Sequence, residues 1–104
     1  MFDYLHFDRV AGSRNERDLT LFSLTTCGFC RRARAYLDSL GFEYRILYAD
    51  ELEPEIKNRL KQDFRDHFGE VMHFPTLILD GKDFLVGFVR PHWEMELEGL
   101  HGNP

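Results

Sequence analysis

Thr25-Thr26-Cys27-Gly28-Phe29-Cys30, running straight into Arg31-Arg32-Ala33-Arg34-Ala35-Tyr36-Leu37, is the stretch that decides how this chain is read. It contains the two cysteines of a 104-residue sequence, separated by Gly28 and Phe29. Before it, Leu19-Thr20-Leu21-Phe22-Ser23-Leu24 has the residue types of a buried strand. After it, Cys30, Ala33, Leu37 and Leu40 recur at helical spacing, with arginines on the other faces. The pair therefore falls where a strand turns into a helix. A first helical turn leaves backbone N–H groups without partners, and its dipole favours negative charge. Both effects stabilise a thiolate at Cys27, and Arg31 and Arg32 add positive charge nearby. Cys30, one turn on, lies on the apolar stripe and is shielded. The chemistry expected of that asymmetry is dithiol–disulfide exchange, with Cys27 attacking and Cys30 resolving the mixed disulfide.

A lone C-x-x-C can also be half of a zinc site. Zinc takes four ligands, however, and this chain has no second cysteine pair, so His67 and His73 would have to complete the set. Two inert, buried cysteines are the other plain alternative. The strand–C-x-x-C–helix context favours redox chemistry, and no metal is expected.

The length suits one domain with a single layered core. With 43% hydrophobic residues, ten Phe, four Tyr and one Trp, the composition is globular. A net charge of −5 argues against nucleic acid as the main partner, because no basic face spans the chain. No apolar run approaches the ~18 residues of a membrane span. The N-terminal residues Met1 to Val10 carry charges and lack a signal-peptide pattern. One C-x-x-C in such a chain reads as a redox pair of the cytoplasm, not a secreted disulfide framework.

Working outward, Tyr4 to Val10 reads as a short strand with Leu5, Phe7 and Arg9 on one face, and residues 11–18 as a polar loop. Leu19 to Leu24 is a strand, residues 28–40 a helix closed by Gly41, and Phe42 to Tyr48 a half-buried strand. Two strands joined by a helix imply a parallel pair. Asp50-Glu51-Leu52-Glu53-Pro54 resembles a helix start. Ile56, Leu60, Phe64 and Phe68 mark that helix's apolar face, with Gly69 as its cap. Thr76 to Leu79 and Asp83 to Val86 form a hairpin around Asp80-Gly81-Lys82. Pro91 opens a last helix with Trp93, Leu97 and Leu100 on one side. Residues 1–18 then form an N-terminal extension, 19–100 the domain, and 101–104 a frayed tail. His67, His73 and His92 read as surface residues. The Arg31-Arg32-Ala33-Arg34 run reads as a solvated helix face that could also steer partners.

This order, with C-x-x-C after the first central strand, resembles the glutaredoxin branch of the thioredoxin fold over roughly residues 19–98. The resemblance implies an α/β three-layer fold: a four-stranded mixed sheet with helices on both faces, plus an optional extra N-terminal strand. A second mark is Phe74-Pro75-Thr76, which looks like the family's cis-proline platform facing the disulfide. Its backbone would pair with an extended thiol substrate. A third is Val86-Gly87-Phe88, matching the family's glycine after the last strand, where a thiol ligand would approach the backbone closely. The resemblance thus implies Cys27 and Cys30 as catalytic residues. Phe29, Phe74, Pro75, Thr76, Gly87, Phe88 and Arg31 are the implied substrate contacts.

The chain also departs from the pattern. Dithiol members usually carry Pro-Tyr between the cysteines. Gly28-Phe29 is instead the pair of the single-cysteine class that handles iron–sulfur clusters. The lysine that often meets a glutathione carboxylate is replaced by Leu24, and the polar pair after the last glycine by Phe88-Val89. The run Phe88-Val89-Arg90-Pro91 is closer to the glutaredoxin-shaped electron donors of ribonucleotide reductase.

The reading favoured is a monomeric thiol–disulfide oxidoreductase acting on disulfide-containing proteins, with no bound cofactor. Glutathione is an optional cosubstrate, and glutathione or thioredoxin reductase is the reductant. The alternatives are a glutathione-dependent iron–sulfur carrier, a reductase-linked donor, and a non-enzymatic adaptor.

Overall fold

The computed structural model describes residues 2–99. In chain order the elements are β1 (Asp8–Val10), β2 (Leu19–Ser23), α1 (Gly28–Ser39), β3 (Tyr44–Tyr48), a 3₁₀ turn (Ala49–Glu51), α2 (Pro54–Phe68), β4 (Thr76–Leu79), β5 (Asp83–Val86) and α3 (Arg90–Glu98). The strands form one mixed sheet in the order β1-β3-β2-β4-β5. β2 runs parallel to β3 and antiparallel to β4, while β1 and β5 close the two edges antiparallel to β3 and β4.

Alternation along the central strands divides the core in two. Leu19 and Leu21 of β2 join Ala33, Tyr36 and Leu37 of α1 and Trp93 and Leu97 of α3. Phe22, pointing the other way, joins Leu60 and Phe64 of α2, Met72 and Leu5. The result is three layers: α1 and α3 on one face, α2 and the N-terminal segment on the other. β2 is buried along its whole length, as a central strand covered on both faces must be.

Helix boundaries follow their sequence signals. Pro54 opens α2 and Pro91 falls in the first turn of α3, where a missing N–H costs nothing. The hairpin between β4 and β5 turns on Asp80 and Gly81, both at positive φ as a mirror-image turn demands. Leu100 and the tail 101–104 lie outside the described residues.

The N-terminal strand is shorter than the alternation predicts. Only Asp8–Val10 pairs with β3; residues 2–7 are spent on the α2 face instead. Phe2 and Phe7 meet the Phe22 ring edge-on at 5.3 and 5.8 Å, and the Tyr4 hydroxyl donates to Asp63 of α2 at 2.6 Å. Burying these rings outweighs extending an edge ladder.

The loop that follows is stitched to the body of the domain. Arg14 N–H donates to Gly41 O at 2.9 Å, and Glu43 N–H to Arg14 O at 2.8 Å. Gly12 is required there for closeness: a Cβ would lie 2.5 Å from the Phe42 carbonyl carbon and oxygen and 2.6 Å from Gly41 O. Those are backbone atoms and cannot swing aside. Gly12→Ala is expected to cost about 1–3 kcal/mol, the usual range for overpacking. For a domain of this size that lowers Tm by at least about 4 °C. An unchanged thermal melt would show that the extension does not need this contact.

Candidate active site

The sheet's register collects the site at one end. Ser23 pairs with Tyr48, Phe22 with Thr76, and Thr76 with Val86. The segments leaving those positions are therefore neighbours: the Cys27 loop after β2, the 3₁₀ turn after β3, the turn before β4, and Gly87-Phe88 after β5.

Cys27 is the N-cap of α1. Its backbone is extended, and its sulfur accepts the N–H of Cys30 at 3.2 Å. A side chain at this position takes one of the orphan donors of the first turn. The sulfur is half-buried and stands 4.0 Å from the carbonyl oxygen of Phe74. Cys30, one turn on, has no exposed surface. Burial pushes its thiol above the ordinary cysteine range, and its hydrogen bond to Cys27 adds to the shift. Both thiols are free.

This asymmetry has a measurable consequence. With the reduced protein, a small alkylating reagent at neutral pH is expected to label Cys27 and spare Cys30. Cys30 should become reactive only above the free-thiol value of about 8.5. Peptide mapping across pH reads this directly, and equal labelling at pH 7 contradicts it.

The Phe74–Pro75 bond is cis. Pro75 and Thr76 are buried, so the side chain of Thr76 does not reach a substrate. Its hydroxyl donates to the carbonyl of His73 and pins the turn from inside. What faces the sulfur is the Phe74 backbone; the Phe74 ring is half-buried and packs on the α2-side core. Gly87 N–H donates to Pro75 O at 2.7 Å, joining the two loops. Gly87 is a glycine because its φ is 76°, not because the chain crowds it: a Cβ there would meet nothing within 4 Å.

Phe88 also differs from the expectation. Its ring packs on Trp93 at 5.0 Å and on Tyr36 at 5.8 Å, making it first a packing residue. Phe29, by contrast, is 56% exposed beside Cys27, with the guanidinium of Arg32 4.4 Å above its ring. Arg31 is exposed and folds back over the start of α1, its Nη2 3.7 Å from where a Gly28 Cβ would be. Arg34 leaves the solvated face: it is half-buried, its Nε has no partner, and its guanidinium lies 5.7 Å from the Tyr48 ring.

One contact was not expected from the sequence. The carboxylate of Asp50 accepts the Thr25 hydroxyl at 2.5 Å and the Thr25 N–H at 3.1 and 3.2 Å. This latch holds the loop that carries Cys27. The Thr25 hydrogen bonds keep the Asp50 carboxyl below the usual aspartate range. Its contribution is therefore intact at neutral pH and fades only as pH falls below about 3.9 toward the lowered value.

His67, His73 and His92 are exposed. Among the described residues no three His, Cys, Asp or Glu side chains gather as a metal site would require. No helix among them is long and apolar enough to cross a membrane.

A mixed sheet between helical layers, with a C-x-x-C pair capping α1 opposite a cis-proline turn, defines a thiol-redox protein of thioredoxin-like fold. The glutaredoxin family model matches residues 19–84, more than half of the chain, and the chain belongs to that family. No curated protein matches it. Among solved structures, a glutaredoxin from Methanosarcina mazei Go1 superposes with a TM-score of 0.72 at 25% identity, over 88% of this chain and 86% of that one. Methanoredoxin from Methanosarcina acetivorans gives 0.65 at 28% identity, over 77% and 83%. A buckwheat glutaredoxin–glutathione complex gives 0.63 at 25% identity, over 82% and 73%. The protein is a thiol–disulfide oxidoreductase of glutaredoxin type.

Proposed function

We propose that the chain reduces disulfides by a two-cysteine exchange in which Cys27 attacks and Cys30 resolves. One observation carries this reading: Cys27 caps α1 with its sulfur partly open, while the Cys30 sulfur one turn away is sealed in the core. The Cys27 thiolate attacks one sulfur of the substrate disulfide. That S–S bond breaks, and the other sulfur leaves as a thiolate that takes up a proton. Cys30 then loses its proton and attacks Cys27 Sγ, releasing the second substrate thiolate as the Cys27–Cys30 disulfide forms. The substrate gains two electrons and two protons, and a reductant returns them to the pair. The Phe74 backbone beside Cys27 offers an extended substrate a strand-like partner. A single redox pair of this kind suits a reducing compartment, the cytoplasm.

Glutathione is a weak cosubstrate in this reading, although the buckwheat protein's complex is with glutathione. Leu24 packs against the α2-side core where a charged partner would be needed, and Val89 presents an apolar side chain after Gly87-Phe88. A charge-assisted hydrogen bond is worth roughly 1.5–3 kcal/mol. Leu24→Lys is therefore expected to lower the glutathione concentration at half-saturation by about tenfold. The oxidised wild type should recover faster with thioredoxin reductase than with glutathione and glutathione reductase. Saturation of the wild type at low glutathione, unchanged by Leu24→Lys, would refute the weak-site reading.

A further inference from the structure

A groove with two arginines in its wall runs between α1 and the start of α3, and one of them, Arg32, lies over the ring of Phe29 in the C-x-x-C segment. About 630 Å³ in volume, it is lined by Arg32, Ala35, Tyr36, Ser39, Phe88 and Arg90. The chain as a whole carries −5, yet the first turns of α1 and α3 contain no acidic residue. Among the described residues, neither Arg31 nor Arg32 is in an ion pair. The two acids that touch the groove's lining residues are engaged with them. Glu94 accepts Arg90 Nε at 3.0 Å, and Glu98 accepts the Tyr36 hydroxyl. Apolar surface is mixed with the charge: the Phe88 ring is part of the wall, Val89 next to it in the chain is 47% exposed, and Phe29, whose ring lies 4.4 Å from the Arg32 guanidinium, is 56% exposed.

We propose that this groove docks an extended acidic segment of the protein whose disulfide is reduced, a partner class that rests on the exchange reading above. Carboxylates on the segment pair with Arg32 and with the Nη side of Arg90, whose Nε alone is taken by Glu94, and an apolar side chain lies on Phe29 and Val89. With −5 on the chain as a whole, the arginines beside the C-x-x-C segment orient the encounter of an acidic segment toward Cys27. A small anion would use one arginine and leave Phe29 and Val89 uncovered; a polypeptide segment covers both.

The test uses three synthetic peptides, each with one internal disulfide, identical except for flanking Glu, Gln or Lys residues. Bis(2-hydroxyethyl) disulfide is the uncharged control. The wild type should reduce the Glu peptide with kcat/KM about tenfold or more above the Lys peptide at low salt. The preference should collapse near 1 M salt, where charges are screened over ~3 Å. In Arg32→Glu/Arg90→Glu the preference should be lost or reversed once each peptide rate is divided by the rate on the uncharged disulfide, which registers any change at Cys27 itself. Arg32→Gln/Arg90→Gln, a milder variant, should fall between. Equal rates on the three peptides, or a preference that survives both variants, overturns the docking proposal. Arginine-dependent binding of an oligonucleotide in place of the acidic peptide also overturns it. A wild type inert toward the uncharged disulfide would instead refute the exchange reading, and the docking proposal with it.

Discussion

Cys27→Ser is expected to reduce turnover of every disulfide substrate by at least about a thousandfold, since removal of an enzyme nucleophile can cost up to ~10⁶. Serine keeps the cap geometry, because its hydroxyl can accept the Cys30 N–H as the sulfur does at 3.2 Å. Fold and stability should therefore survive while a nucleophile active at neutral pH is lost. Cys30→Ser should behave differently. The attack still occurs at the open Cys27 sulfur, but the second step has no thiol, so a mixed disulfide accumulates on Cys27. Intact mass of the quenched reaction would show the protein carrying one substrate thiol. A substrate disulfide between protein chains would then stall, whereas a glutathione mixed disulfide could still be cleared by a second glutathione. If Cys27→Ser turned over and Cys30→Ser were dead without a trapped adduct, the roles would be reversed. The burial of Cys30 argues against that outcome, because no bulky disulfide reaches a sulfur without exposed surface.

The local chemistry of this site is legible in the sequence because it depends on short-range signals. A β-rich run ending at Ser23, two cysteines one helical turn apart, and Pro75 ahead of an apolar strand each carry their own meaning. What is not legible depends on which surfaces meet. Tyr4 to Phe7 alternate like a strand, but their rings are taken up by Phe22 and Asp63 across the molecule. Arg34 belongs to a charged run, yet the twist of α1 carries it toward Tyr48. Thr76 looks like part of a platform because it follows Pro75, whereas the strand pleat turns its side chain inward to the His73 carbonyl. Asp50 offered one usable hint. It lies two residues beyond the end of a strand parallel to β2, so its carboxylate falls beside the loop leaving that strand.

The largest stability effect is expected at Trp93, far from the cysteines in sequence but tied to their surroundings. Its side chain has no exposed surface and packs edge-on against Phe88 and Tyr36, with ring centroids 5.0 and 6.4 Å away. Its indole N–H donates to the carbonyl of Gly87 at 3.0 Å, and Gly87 N–H donates in turn to Pro75 O at 2.7 Å. One residue thus anchors α3 to the sheet and holds the loop that supports the turn facing Cys27. Trp93→Ala removes the ring and leaves a cavity, a change that typically costs 3–5 kcal/mol, or about 3–5 here. Against a total stability of roughly 5–15 kcal/mol, that lowers Tm by at least about 12 °C. Trp93→Phe separates the two roles. Most packing is kept, but the half-buried Gly87 carbonyl loses its donor, at a cost of up to about 1–3 kcal/mol. If the hydrogen bond positions the site, Trp93→Phe should also slow exchange at a temperature where the variant is fully folded. A Trp93→Phe protein of wild-type stability and rate would show that the ring alone matters and that the relay from α3 to Pro75 carries no functional weight.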